Sequence, residues 1–209
     1  MRKLILVIAV IISCVSGHAQ LSVGARLTHH NFLETDVRIT GIGGFGTYWI
    51  SNMIGVRAGL SVGFPWENTS TFSAYTSDNS LEPEIIEVEG LSRVTTTHIN
   101  LNGVGYFGSG YYRYGGFYGV FGLGLVISSE EINFESFPEE YRIIGIPNEG
   151  ERITNYQFLL RGIAGYEYVL NKRFLFGEIG LGLPLNGEPG TTVPFQVGKY
   201  FEASFGVRF

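Results

Sequence analysis

The chain has 209 residues, with 14 Lys and Arg against 19 Asp and Glu, and a formal net charge of −5. That acidic balance, without a basic run, leaves no electrostatic footprint for nucleic acid. Cys14 is the one cysteine, so a disulfide framework, a zinc–thiolate centre and a cysteine nucleophile are excluded once the segment carrying it is removed.

In chain order, Arg2 and Lys3 precede an uncharged apolar run over 4–12, and Gly17 and Ala19 stand at the minus-three and minus-one positions of a cut before Gln20. Residues 1–19 therefore read as a secretory signal peptide, and 20–209 as one domain. The apolar run is well short of the roughly 20 residues of a spanning helix. A second processing route stays open, because Ile11-Ile12-Ser13-Cys14 loosely fits a site at which Cys14 would be lipidated. Loss of Arg2 and Lys3 leaves 12 basic and 19 acidic residues, a net charge of −7. Lysine then occurs only at 172 and 199, far fewer than the solvated faces of a soluble all-β domain carry.

Period-two alternation predicts eight strands, near 21–29, 39–50, 53–64, 95–107, 116–128, 154–170, 173–183 and 196–209. The first sets Leu21, Val23, Ala25 and Leu27 on one face, and the third does the same with Ile54, Val56, Ala58, Leu60, Val62 and Phe64. The last sets Val197, Phe201, Ala203, Phe205, Val207 and Phe209 against Gln196, Tyr200, Glu202, Ser204, Gly206 and Arg208. Connections after strands two, four and six are short (51–52, 108–115, 171–172), and the others are longer, two of them exceeding twenty residues. An up-and-down barrel in an outer membrane has this asymmetry, with short periplasmic turns and long external loops. An even strand number returns both termini to the periplasm.

Of the 19 carboxylates, 16 fall in the four segments read as outer loops. The other three, Glu167, Glu178 and Glu202, fall on the polar strand face with Arg26, Arg57, Arg161 and Arg208. A lipocalin-type barrel would bury the apolar face and wet the polar one. Here the polar face is mostly glycine with a few Arg and Glu, which suits a crowded lumen, and no Gly-x-Trp opens strand one. The expected fold is thus an all-β, eight-stranded antiparallel up-and-down transmembrane β-barrel. Tyr48, Trp49, Phe107, Tyr166, Tyr168 and Phe209 are expected in a periplasmic aromatic girdle, and Phe64, Trp66 and Tyr156 in an external one.

Several stretches resemble the small outer-membrane β-barrel proteins of Bacteroidetes, the PorT-like family, with OmpA-type barrels as more distant architectural relatives. They are Gly17-His-Ala-Gln20, Leu21-Ser-Val-Gly-Ala-Arg26, Gly119-Val-Phe-Gly-Leu-Gly-Leu125, Gly165-Tyr-Glu-Tyr168 and Phe205-Gly-Val-Arg-Phe209. The resemblance implies a barrel over the whole mature chain and brings no catalytic residues. A final Phe209 matches what outer-membrane assembly machinery reads.

Motifs with chemical content are sparse. Gly41-Ile-Gly43-Gly-Phe-Gly46 fits G-x-G-x-x-G formally, but Thr-Tyr-Trp-Ile follows and reads as strand. His98 shares the polar face with Asn100 and Asn102, a lumen hydrogen-bond cluster in this reading, and His29-His30 begins an outer loop. Glu82, Glu84, Glu87 and Glu89, and Glu130, Glu131, Glu135, Glu139 and Glu140, read as solvated loops, with Ca²⁺ or Mg²⁺ ligation as the alternative. No catalytic, cofactor-binding or metal-binding residue is assigned. Near mid-height, Arg26, Arg161, Glu178 and Glu202 are expected as a lumen charge network of two cations flanking two anions. The expectation is a monomeric, non-enzymatic outer-membrane barrel with a filled lumen, in contact with membrane lipid, the barrel-assembly machinery and, through its long loops, an envelope or extracellular partner. A barrel enzyme acting on membrane lipid and a soluble ligand-binding barrel are the alternatives.

Overall fold

The computed structural model describes residues 20–35, 37–76, 85–108, 113–134, 140–143, 152–171, 173–185 and 197–209. The expected signal peptide, Cys14, Lys172, Glu188 and the acidic residues Glu82, Glu84, Glu135 and Glu139 lie outside them. The described residues form ten strands: β1 (Gln20–Phe32), β2 (Arg38–Trp49), β3 (Ile54–Gly63), β4 (Trp66–Thr76), β5 (Ile85–Tyr106), β6 (Gly116–Phe134), β7 (Tyr141–Ile143), β8 (Arg152–Leu170), β9 (Arg173–Pro184) and β10 (Tyr200–Arg208). All pairings are antiparallel. The order β3-β2-β1-β10-β9-β8-β6-β5 closes on itself through β3–β5, giving an eight-stranded up-and-down ring. Closure leaves no free edge in this ring. The seam between first and last strands runs from Gly24↔Arg208 to Phe32↔Tyr200, and the amide of Phe209 donates to the carbonyl of Val23 at 2.8 Å.

The period-two pattern sorts the side chains by face. Leu27, Ile42, Leu60, Leu101, Phe121, Phe158, Ile179 and Phe205, one from each ring strand, are at least half exposed on the outer wall. Arg26, Arg57, Arg161, Glu167, Glu178, Glu202 and Arg208 are buried inside it. At one end the strands are joined tightly. The amides of Met53 and Ile54 donate to Ser51 Oγ at 3.2 and 3.1 Å, and Asn171 turns the chain with φ 47°.

Beyond the opposite rim the wall continues on one side. β5 and β6 run on past the ring, β4 pairs with β5 over Trp66↔Val94 to Tyr75↔Ile85, and β7 pairs with β4 over Ala74↔Ile143 to Thr76↔Tyr141. This extension has its own apolar cluster of Ala74, Val88, Ile132, Phe134 and Tyr141. Much of the sequence expected as two outer loops is thus strand, and Glu67, Glu87, Glu89, Glu130 and Glu131 lie in ladders. β4 resumes the path of β3 after Phe64-Pro65 with its register on β5 offset by one residue, since Val62 faces Thr97 and Trp66 faces Val94. Pro65 has no N–H to give a ladder, and a one-residue slip is where a sheet tolerates it.

Four further expectations are corrected. Trp49 is 3% exposed and points into the barrel, because Tyr48 takes the outward position beside it; adjacent residues of a strand cannot both face outward. Trp66 packs against an interior apolar cluster rather than joining an external girdle. Val197 precedes the last strand and is buried in that cluster, and His29-His30 lies within β1 rather than at the start of a loop.

Candidate functional site

The lumen is the one place in the described residues where charged side chains converge out of solvent, and alternation is what delivers them there. Three polar levels are stacked along it. At the short-turn end, Arg208 donates from Nε to Glu167 Oε1 at 3.0 Å and from Nη2 to Glu167 Oε2 at 2.8 Å. Tyr106 donates its hydroxyl to the same carboxylate. Trp49 lies stacked on Tyr106, with centroids 5.4 Å apart, and donates Nε1–H to Ser22 Oγ at 3.0 Å. Trp49, Tyr106, Tyr118, Val104, Val120 and Ile163 close the space around this ion pair.

At the middle level Glu178 is the hub. It accepts from Arg57 Nη1 at 2.5 Å, Tyr118 OH at 2.7 Å and Ser204 Oγ at 2.9 Å. Arg57 also donates from Nε to Thr47 Oγ1 at 3.2 Å and stands over the Phe45 ring at 4.4 Å. A planar guanidinium can be held in this way by a carboxylate in plane and an aromatic face above.

The third level belongs to Glu202, which accepts from Arg161 Nη2 at 2.5 Å and stands 3.7 Å from His30 Nε2. His30 and His98 are stacked in parallel with centroids 4.1 Å apart, and Tyr200 meets both edge-on. Above them Phe32, Val37, Ile39, Val94, Val126, Leu159, Val197 and Tyr200, with Trp66 against them, form an apolar cap. On β5, the strand that carries His98, Asn102 Nδ2 donates to Asn100 Oδ1 at 2.9 Å.

Arg26, Arg161, Glu178 and Glu202 all face this interior and are each under 5% exposed. Their contacts are Arg161 with Glu202, and Arg26 with both Glu178 and Glu202 at 3.6 Å. Arg57 is the member that sequence reasoning placed on the right face but left out of the set. Its Thr47 and Phe45 partners stand on β2, and pairing across a lumen depends on side-chain reach and ring order rather than on spacing in the chain. His30 lies just past the predicted end of the first strand, so the alternation does not place it in the lumen. Phe209 is half exposed at the short-turn end, with the Arg173 guanidinium 5.4 Å from its ring centroid. The described residues contain no group of three or more His, Cys, Asp or Glu able to hold a metal ion.

No family model and no curated protein matches the chain. Among solved structures it is similar to Ail, the attachment invasion locus protein of Yersinia pestis, at 11% identity and a TM-score of 0.44, covering 91% of this chain and 97% of that one. It is also similar to the N-terminal β-barrel domain of Pseudomonas aeruginosa OprF, at 15% identity and TM-score 0.39, over 92% and 98% of the two chains. Neisserial surface protein A is similar at 10% identity and TM-score 0.43, over 91% and 97%.

Proposed function

We propose that the chain is a non-enzymatic β-barrel protein of a bacterial outer membrane, of the small PorT-like type found in Bacteroidetes. Its role is structural or interactive, exercised through the external strand extension and its acidic connections. The observation that carries this reading is the inverted polarity of the wall. Large apolar side chains on every ring strand face outward, while four Arg and three Glu side chains and a row of hydroxyls and amides face inward. A soluble barrel has the opposite arrangement, and only a lipid surround makes this one stable. Eight strands enclose a space that side chains can fill, which favours a filled lumen over a general pore. The partners are membrane lipid, the assembly machinery acting on β10, and an envelope or extracellular protein at the extension. The barrel acts as a monomer with the short turns and both termini in the periplasm.

Single cysteines at Asn52, in the β2–β3 turn, and at Glu140, beside β7, test the topology. A membrane-impermeant maleimide applied to intact cells should label the Glu140→Cys protein and label Asn52→Cys only after lysis. Equal labelling at both sites, or recovery of the protein in the soluble fraction, removes the reading.

A further inference from the structure

The lumen charges do not balance. Among the described residues four arginines and three glutamates are buried there. Arg208 is matched to Glu167, Arg57 to Glu178 and Arg161 to Glu202, at 2.8, 2.5 and 2.5 Å. Arg26 is the fourth cation. Its Nη1 stands 3.6 Å from one oxygen of Glu178 and 3.6 Å from one of Glu202, beyond hydrogen-bond distance of carboxylates that other arginines already hold. A buried guanidinium without its own counter-charge is strongly destabilising.

The surroundings of Arg26 are rich in donors. Arg26 pairs in register with Gly43, Gly43 with Ser61 and Ser61 with His98, so these inward positions form one row around the wall. Asn100 is the next inward position after His98. From the other side, Arg161 Cδ lies 3.0 Å from where a Cβ on Gly124 would stand, and Gly124 is the register partner of Asn100. Arg161 therefore crosses the bare strand toward Asn100. Arg26 Nε, Ser61 Oγ, His98 Nε2, Asn100 Nδ2 and Arg161 Nε are all buried without a hydrogen-bond partner among the described residues. Of these, the arginine and amide nitrogens can only donate, whereas Ser61 Oγ and His98 Nε2 can donate or accept; Glu202 Oε1 and Asn102 Oδ1 are the acceptors nearby in the same condition. Arginine surplus and unused donors coincide.

We infer that the lumen carries a site for a small monovalent anion, bounded by Arg26, Ser61, His98, Asn100 and Arg161. One negative charge completes the balance around Arg26, Arg57 and Arg161, and the donors supply the coordination that bulk water would otherwise give. The inference needs only the barrel and its lumen, not the cellular role proposed above.

Bromide is the probe. The folded full-length barrel in detergent is titrated with sodium bromide against sodium gluconate at constant ionic strength, following its thermal unfolding midpoint and the ⁸¹Br NMR linewidth. Bromide should raise the midpoint saturably, on the order of 5 °C at saturation, and broaden the bromide line. The nearly isosteric Asn100→Asp places a fixed negative charge in the site and should abolish both effects; Arg26→Met, which removes the surplus cation, should do the same. If Arg26→Met does not fold, Asn100→Asp alone carries the comparison. Equal midpoints in bromide and gluconate, a rise that grows without saturating, or broadening that persists undiminished in Asn100→Asp each overturns the site and leaves water as what fills it.

Discussion

Glu178 is the residue on which most of the middle level depends, since a guanidinium, a phenol and a serine hydroxyl all donate to it. Glu178→Ala leaves those donors unsatisfied and Arg57 without its carboxylate, at a cost of about 3 to 5 kcal/mol. Unfolding of the purified barrel in detergent measures it, with Glu67→Ala as the control: the Glu67–Arg93 contact at 3.5 Å is half exposed on the extension and should change stability by less than about 0.5 kcal/mol. The pairing also fixes where coupling is found. Arg57→Ala with Glu178→Ala should cost less than the sum of the single changes, and so should Arg161→Ala with Glu202→Ala. Arg161 with Glu178 should be closer to additive, because each has another partner. Trp49 gives a second prediction at this scale. Held inside by its stack on Tyr106 and its bond to Ser22, it should show little quenching of fluorescence by brominated acyl chains in a Trp66→Phe background. Strong quenching would return Trp49 to the lipid-facing girdle.

At the scale of elements, the extension joins the ring across the slip at Pro65, touches the interior cap through Trp66, and has an apolar cluster of its own farther out. Ala74, fully buried in that cluster, is the position where its independence of the ring is testable. Ala74→Glu introduces an unpaired charge beside Val88 and Phe134, so proteolysis between β4 and β5 should accelerate while the ring keeps its heat-modifiable migration in detergent gels. Loss of that migration would mean that extension and ring fold as one unit. This element is also where the sequence was least legible. Ring strands announced themselves because apolar and polar residues alternate without interruption, as from Leu21 to Leu27. The β4 sequence Trp66-Glu-Asn-Thr-Ser-Thr-Phe-Ser-Ala-Tyr-Thr76 is rich in Ser and Thr and reads as loop, although Phe72 and Ala74 keep the period. Val88, between Glu87 and Glu89, was hidden by the same carboxylates that suggested solvated loop. The lumen was readable as a face and in part as a set of partners: Arg26, Arg161, Glu178 and Glu202 do meet, whereas Arg57 and His30 enter as partners only when eight strands are placed in a ring.

For the whole molecule, the three polar levels and the apolar cap lie in series along one axis. If the lumen is filled as proposed, the Arg208–Glu167–Tyr106 group with Trp49 and Tyr118 closes the short-turn end, Arg57–Glu178 with Phe45 the next level, and Arg161–Glu202 with the stacked His30 and His98 the one beyond it. Phe32, Ile39, Val94, Val126, Leu159 and Tyr200 lie above these. Barriers in series are limited by the tightest one, so opening any single level leaves the path closed at the others. The purified protein in planar bilayers should therefore show no stable porin-sized conductance. Glu178→Ala should be equally silent despite its loss of stability, because the levels above and below are unchanged. Removal of the cap alone, for example by Leu159→Ser with Val126→Ser, should also leave the bilayer closed, since Arg161–Glu202 and Arg208–Glu167 still bridge the lumen. A reproducible large channel in the unmodified protein would show that the side chains do not fill the interior under voltage. A channel appearing in Glu178→Ala alone would locate the whole barrier at the middle level, and either result would return the barrel to the class of pores.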